Sequence, residues 1–181
     1  GIASKGDTFQ KIIEKGTAIL DVSGGSIQIS LFDKDALITT QNVKLGSLRV
    51  RERLSGIERE TTHYEMLVEE LIRNEITGFK KLHLKDRDIS NVILIGNNFT
   101  DSLLYNKKGE YSEVLTKEDY MEWYRTVIQR SPIELAMEMC IALEYASLLI
   151  TTVIINKRII QEMNAQNIWI PGISLSDGVS Y

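Results

Sequence analysis

The spacing of apolar residues changes near Gly46, and this change limits the fold more than any other feature of the sequence. Before it, Thr17–Val22 is a mostly apolar run, as in buried strands. In the next run the aliphatic residues Ile27, Ile29 and Leu31 alternate with Gln28, Ser30 and Phe32, as in strands with unlike faces. A third run, Leu37–Leu45, is rich in β-branched residues, which favour strands. From Ser47 onward, apolar residues recur at helical spacing. The sequence therefore predicts a three-strand meander followed by a helical crossover, in an α/β protein.

The rest of the chain predicts further strands and helices and contains no internal repeat. The first helix is expected to end at Thr77-Gly78, and the charged stretch Lys80–Arg87 is interpreted as a solvated connector. The later segments each carry a start signal or an apolar run: a strand over Asn91–Gly96, a helix capped by Thr116 with Asp119 and ending at about Gln129, a helix start at Ser131-Pro132-Ile133-Glu134, a long helix over roughly Leu143–Met163, and a strand over Asn167–Ile170.

Size and composition exclude several classes of protein. For 181 residues we expect a lead-in over residues 1–16 and a single domain over residues 17–181. One cysteine and two histidines rule out an internal disulfide and a structural zinc site. The net charge of −4 and pI near 5.3 argue against nucleic acid or an anionic membrane as partner. Ala146–Ile155, the most apolar stretch, is about half a bilayer span, so we expect a cytoplasmic protein.

The segment Asp21-Val-Ser-Gly-Gly-Ser26 carries the most chemical information. It places an aspartate at the tip of a buried strand and follows it with small residues, whose exposed backbone N–H groups can wrap a phosphate. Glycine at positions 24 and 25 permits close approach or a positive φ. The Asp21 carboxylate could hold a hydrated magnesium ion. The alternative is a hairpin turn in which the two glycines only supply the backbone conformation.

Two more strand tips carry small polar residues. Gly96-Asn97-Asn98 follows the predicted strand at 91–96, and Gly172–Gly178 follows the last one. Ligands of open α/β sheets bind beyond the carboxyl ends of strands, so the three tips are expected to converge on one anionic ligand. The alternative is coincidence, because every strand must end in some turn.

Other familiar sites are absent from the sequence or have simpler interpretations. No nucleotide-binding glycine fingerprint is present, and Ser23 and Ser26 have no histidine nearby in sequence. His63 and His83 are interpreted as surface or structural residues, and Cys140 as a small core residue on an apolar helical face. Three aromatic residues on one predicted helix are assigned to packing rather than base stacking: Tyr120, Trp123 and Tyr124.

With these motifs, the sequence resembles the exopolyphosphatase / guanosine pentaphosphate phosphohydrolase family, a branch of the actin–Hsp70–sugar kinase superfamily. The second phosphate loop of that family reads Asp-Ile-Gly-Gly-Gly-Ser-Thr-Glu, where Asp21–Gln28 reads Asp-Val-Ser-Gly-Gly-Ser-Ile-Gln. Val43–Arg53 is similar to the leucine-glycine helix start of the family, and Ile168–Gly178 resembles its closing segment. The resemblance covers residues 17–181 and only the second of two ribonuclease-H-like lobes.

The resemblance implies a ribonuclease-H-like lobe with a mixed sheet, a three-strand meander and flanking helices. It implies hydrolysis of the terminal phosphate of inorganic polyphosphate or guanosine pentaphosphate by the whole enzyme, with Mg²⁺ held by Asp21. Gln28 takes the place of a family glutamate. The implied phosphate-binding residues are Ser23, Gly24, Gly25, Ser26, Gly96, Asn97 and Asn98.

Three departures from the family pattern point to a degenerate site. Gln28 can orient water but cannot accept its proton, Phe99 could obstruct a phosphate chain, and Tyr145 and Ser147 replace an arginine and an aspartate of the family on the long helix. The alternative function is therefore a non-catalytic relative that acts as a phospho-ligand sensor or interaction module. An actin-like assembly or kinase-type lobe is a third alternative, and it requires an adenosine pocket.

The resemblance also implies a partner, the missing N-terminal lobe of the same protein, and leaves a homodimer open. The chain begins with Gly1 and not Met, so we expect a processed product, a cloning scar or a piece of a longer protein. Phosphoryl transfer needs groups on both sides of the phosphate. We therefore expect the isolated lobe to have little activity.

Overall fold

The three strands at the start of the chain form an antiparallel meander, as predicted. In a computed structural model, which describes residues 16–34, 36–54, 62–85, 87–95 and 114–170, they are β1 (Thr17–Val22), β2 (Ile27–Asp33) and β3 (Ala36–Val43). The side chains of Ile27 and Ile29 are buried while Gln28 between them is exposed, because successive residues of a strand face opposite sides of the sheet.

Within the described residues, the meander is one side of a mixed sheet of six strands, in the order β3-β2-β1-β4-β6-β5. Strands β1, β4 (Asn91–Ile95) and β6 (Asn167–Trp169) are parallel neighbours, so their carboxyl ends meet at one edge of the sheet. The short edge strand β5 (Val114–Thr116) pairs antiparallel with β6. Three residues are too few to show a period of two, so the sequence did not predict β5.

The predicted helices are present, and their start signals act as expected. The helices are α1 (Ser47–Arg53), α2 (Thr62–Phe79), α3 (Lys117–Ile128), α4 (Pro132–Met139) and α5 (Leu143–Met163). A capping box between Thr116 and Asp119 begins α3, and Ser131 caps α4 ahead of a proline at its start. These contacts satisfy backbone N–H groups that lack a partner inside the helix.

The predicted end of the first long helix at Gly78 is wrong. The helix continues to Phe79 and then into a π-helical turn over Lys80–Leu84. Phe79 is buried, and the Lys80 ammonium pairs with Glu162 of α5 at 2.5 Å. These contacts hold the extension against the fold, so the first half of the expected connector is a helical turn.

The core lies between the sheet and α5. Leu20, Val22 and Ile29 belong to the same buried cluster as most of α5, including Val153 and Ile160. None of the described helices alone is long and apolar enough to cross a bilayer, although α4 and α5 together pass that test by composition while bent by 108°.

Cys140 does not lie in this core, and its predicted burial is wrong. It is exposed and follows α4 in a left-handed conformation, with φ 56°. The chain reverses between α4 and α5 here, and a left-handed residue commonly ends a helix in this way. The aromatic residues of α3 pack as predicted: Tyr120 and Tyr124 are buried, and Trp123 packs partly buried against the core.

A buried charged cluster joins α2, α3 and α5. The Lys157 side chain is only 8% exposed and pairs with Glu65, at 3.6 Å, and with Glu69. Its ammonium lies 4.6 Å from the ring centroid of Tyr124, whose hydroxyl donates to Glu65. Burial raises the pKa of the Tyr124 hydroxyl most, and the hydrogen bond to Glu65 raises it further. The hydroxyl therefore stays protonated and acts as the donor.

Candidate functional site

The segment Ser23–Ser26 forms a closed loop between β1 and β2. The Ser23 amide donates to the Ser26 carbonyl at 2.9 Å, and the Ser26 amide donates to the Ser23 hydroxyl at 3.3 Å. The Ser23 hydroxyl also donates to the Ser26 carbonyl at 3.1 Å. Both serines therefore hold the loop in shape, with the two glycines at its tip.

Helix α1 begins directly against this loop. The amide of Ser47 donates to the Ser23 carbonyl at 2.9 Å, and the amides of Leu48 and Arg49 donate to the Gly24 carbonyl at 3.0 and 3.3 Å. The loop carbonyls thus satisfy the first N–H groups of the helix, which have no partner within it.

The glycine amides of the loop have no acceptor within the described part of the chain. Neither the Gly24 nor the Gly25 amide donates to any residue that the structure describes. Gly25 is exposed and Gly24 half-buried. Two adjacent N–H groups at the tip of a fixed loop can bind an anion.

A positive φ is one reason that the sequence suggests for glycine at positions 24 and 25, and the structure does not bear that reason out. Neither Gly24 nor Gly25 has a φ in the left-handed region, which the common two-residue hairpin turns require. A β-carbon added at Gly25 would meet only the Arg49 Nε, at 3.9 Å. Glycine at position 25 therefore leaves the peptide surface open.

Gly46 is the glycine that the loop requires, and the sequence reasoning missed it. A β-carbon there would lie 2.2 Å from the Ser23 carbonyl oxygen and 2.5 Å from the Ser26 nitrogen. The sequence marks position 46 only as the place where the meander ends and a helix follows, and nothing in its context reveals that the loop packs against it.

Asp21 and Gln28 lie side by side next to the loop. They are paired across β1 and β2, and Gln28 is paired in turn with Asn42 of β3. Paired residues share a face of the sheet and have β-carbons about 5 Å apart. Asp21 is half-buried and Gln28 exposed. A carboxylate and a carboxamide therefore stand together beside the glycine amides.

The strand next to Asp21 on its other side is β4, whose Ile95 is its partner in parallel register. Gly96, Asn97, Asn98 and Phe99 follow Ile95 but lie outside the described residues, as do Gly172–Gly178 after β6. The strands that precede these segments end at the same edge as β1. Convergence of the three tips stays a prediction.

For a metal, the described residues offer one carboxylate at this edge. They contain no group of three or more His, Cys, Asp or Glu side chains placed to hold an ion. Mg²⁺ commonly binds through one or two carboxylates, substrate phosphates and water. Asp21 therefore fits magnesium only as part of a complex with a phosphate ligand.

The remaining candidate residues lie elsewhere. His63 is exposed on α2, and the His83 ring packs 5.2 Å from that of Phe79. Tyr145 is exposed near the start of α5, while Ser147 is buried. The histidines thus have the surface and structural positions that the sequence predicted.

Burial raises the pKa of the Asp21 carboxyl above its ordinary value. The stability that this group contributes is therefore present below its unfolded pKa and is lost as pH rises through its folded pKa. We expect Asp21→Asn to raise the free energy of unfolding at pH 7 and to have little effect at pH 3, as measured by urea denaturation.

The matched control for this prediction is Asp33→Asn. Asp33 pairs with Arg87 at 3.2 Å, so its neutralisation should lower stability slightly at pH 7, by less than about 1 kcal/mol. A loss of stability at pH 7 in Asp21→Asn as well would contradict the desolvation of Asp21.

Comparison with known proteins places this site in a known fold. No family model and no curated protein sequence matches the chain. Solved structures match it well. A Ppx/GppA phosphatase of Aquifex aeolicus superposes with a TM-score of 0.71 at 14% identity, and an exopolyphosphatase of Cytophaga hutchinsonii with a TM-score of 0.78 at 12% identity.

Coverage in these matches is unequal. The Aquifex match covers 92% of this chain and 56% of the other, and the Cytophaga match covers 96% and 60%. The chain therefore has the fold of part of these Ppx/GppA and exopolyphosphatase structures and spans little more than half their length. The fold predicted from the resemblance is confirmed.

Proposed function

We propose that this chain is a phosphate-binding lobe that works with a second lobe on the terminal phosphate of inorganic polyphosphate or guanosine pentaphosphate. The observation that carries the proposal is the pair of glycine amides at positions 24 and 25, presented by a closed loop beside Asp21. Solved proteins of the same fold support it, because one is a Ppx/GppA phosphatase and another an exopolyphosphatase.

In this proposal each described residue has a separate task. The Gly24 and Gly25 amides donate to phosphate oxygens, and Ser23 and Ser26 keep the loop closed. Asp21 would hold Mg²⁺ beside the bound phosphate, where the ion would supply positive charge that offsets the charge of the phosphate. Gln28 orients a water molecule but takes no proton from it.

The second candidate is a relative that binds a phosphorylated ligand without hydrolysing it, and Gln28 favours it. General base catalysis contributes about 10²- to 10⁴-fold to a rate, and a carboxamide cannot supply it. We therefore expect slow hydrolysis in the protein as it stands, with binding retained.

Phosphate release from polyphosphate by the full-length protein, with Mg²⁺, tests both candidates. We expect little release from the wild type and at least about tenfold more from Gln28→Glu, which restores a base. Asp21→Ala in the Gln28→Glu background should abolish the gain. Robust wild-type release that Gln28→Glu does not increase would contradict the role assigned to Gln28.

A further inference from the structure

Arg49 is the cation that the structure places against the loop. It is the third residue of α1, and its Nε lies 3.9 Å from where a β-carbon of Gly25 would stand. Its backbone amide donates to the Gly24 carbonyl. The backbone of Arg49 therefore contacts the segment that presents the glycine amides, and its side chain lies beside the open surface of Gly25.

The direction of this side chain follows from helix geometry. Helical side chains tilt toward the amino terminus of their helix, so a long side chain in the first turn of α1 extends back over the loop. The start of α1 itself offers no anion site, because the Ser23 and Gly24 carbonyls already accept from its first amides. The cationic contribution at the loop is therefore the guanidinium.

The Arg49 side chain also has no carboxylate partner within the part of the chain that the structure describes. It is exposed and forms no ion pair with any described residue, whereas Arg53 in the last turn of the same helix lies 3.9 Å from Glu75. Arg87 and Arg130 likewise pair with carboxylates. A free guanidinium beside two free amides has the chemistry that recognises a phosphate.

Asp21, the only carboxylate of the described site, lies on the other face of the sheet. Asp21 stands on the face of β1 opposite Leu20 and Val22, which belong to the core cluster that α1 shares through Val50. Helix α1 therefore packs on the core face of the sheet, and Asp21 lies on the opposite face; no ion pair between Arg49 and Asp21 occurs among the described residues. This separation leaves the guanidinium available to an anion rather than neutralised by Asp21.

We propose that Arg49 is an anion-binding side chain of this site and contacts the same phosphate group that the Gly24 and Gly25 amides bind. The inference rests on the proposed function and adds a binding residue that neither the loop motif nor the family resemblance assigned. It predicts a preference for phosphate-type anions with several charged oxygens, which a guanidinium fork and two amides can bind together.

The test is titration of the chain with sodium tripolyphosphate, followed by ¹H–¹⁵N NMR, which measures weak binding residue by residue. We expect Arg49→Gln to raise the dissociation constant measured at the Gly24 and Gly25 amides by about tenfold, as for loss of a charged hydrogen bond. Arg49→Lys, which keeps the charge but loses the fork, should give an intermediate value. The Arg49 Nε–H signal should shift in the wild type.

The matched control is Arg53→Gln, which removes the same charge from the same helix about 6 Å farther along its axis. It should weaken binding less than twofold. Wild-type binding that Arg49→Gln and Arg53→Gln weaken equally would overturn the assignment of Arg49 and leave the loop as the site. If the wild type shows no saturable shift at Gly24 and Gly25, the proposed function itself fails, and the assignment of Arg49 with it.

Discussion

Replacing Lys157 with methionine is expected to lower the free energy of unfolding by about 3 kcal/mol. The Lys157 side chain is 8% exposed and is shared by Glu65 and Glu69, whose side chains are 24% and 22% exposed. Methionine fills the volume but leaves two half-buried carboxylates close together without a cation. Urea denaturation at pH 7 measures the loss.

Two further variants separate this effect from a general loss of charge. Lys80→Met removes a lysine that is 40% exposed, and its partner Glu162, although only 10% exposed, keeps Arg158 as a second cation. The change should therefore cost less than about 1 kcal/mol. Adding Glu65→Gln and Glu69→Gln to Lys157→Met should restore much of the stability, because the uncompensated charges are removed. Equal losses for Lys157→Met and Lys80→Met would contradict the burial of the cluster.

Gly46→Ala is expected to cost about 3 kcal/mol, at the upper end for overpacking, and to disturb the loop over Ser23–Ser26. The added methyl group would lie 2.2 Å from the Ser23 carbonyl oxygen and 2.5 Å from the Ser26 nitrogen. Both are backbone atoms, so no side-chain rotation relieves the clash. Either α1 or the loop must move.

The control for this change is Gly25→Ala, whose methyl group would meet only the end of a flexible arginine at 3.9 Å. We expect it to change stability by less than about 1 kcal/mol. NMR spectra should show the Ser23 to Ser26 amides displaced in Gly46→Ala and largely unmoved, apart from position 25 and its neighbours, in Gly25→Ala. Equal stability of the two alanine variants would show that Gly46 does not pack on the loop as described.

Local signals made most of the fold predictable. The capping box at Thr116 with Asp119 and the apolar run over Leu143–Met163 fix helix bounds through contacts within a few residues. The π-helical turn over Lys80–Leu84 was not predicted because it depends on the pairing of Lys80 with Glu162, which is distant in sequence. β5 escaped because a three-residue strand depends on its pairing with β6.

The candidate site was likewise predictable only in part. The pairing of Asp21 with Gln28 follows from the short loop between two strands, so the sequence could place those residues together. The approach of Gly46 and Arg49 to the loop depends on how α1 docks after two intervening strands, which residue spacing does not encode. The partners of Lys157 are similarly remote, on a helix about 90 residues earlier in the chain.

The central claim is that the Gly24 and Gly25 amides bind a terminal phosphate. Titration of the ¹⁵N-labelled chain with sodium tripolyphosphate, at constant ionic strength and with sodium chloride as the reference, tests it most directly. The account predicts saturable shifts that are largest at the Gly24 and Gly25 amides, with weak, millimolar affinity in the absence of a second lobe. Shifts that are no larger at these amides than elsewhere on the surface, or that chloride reproduces, would contradict it.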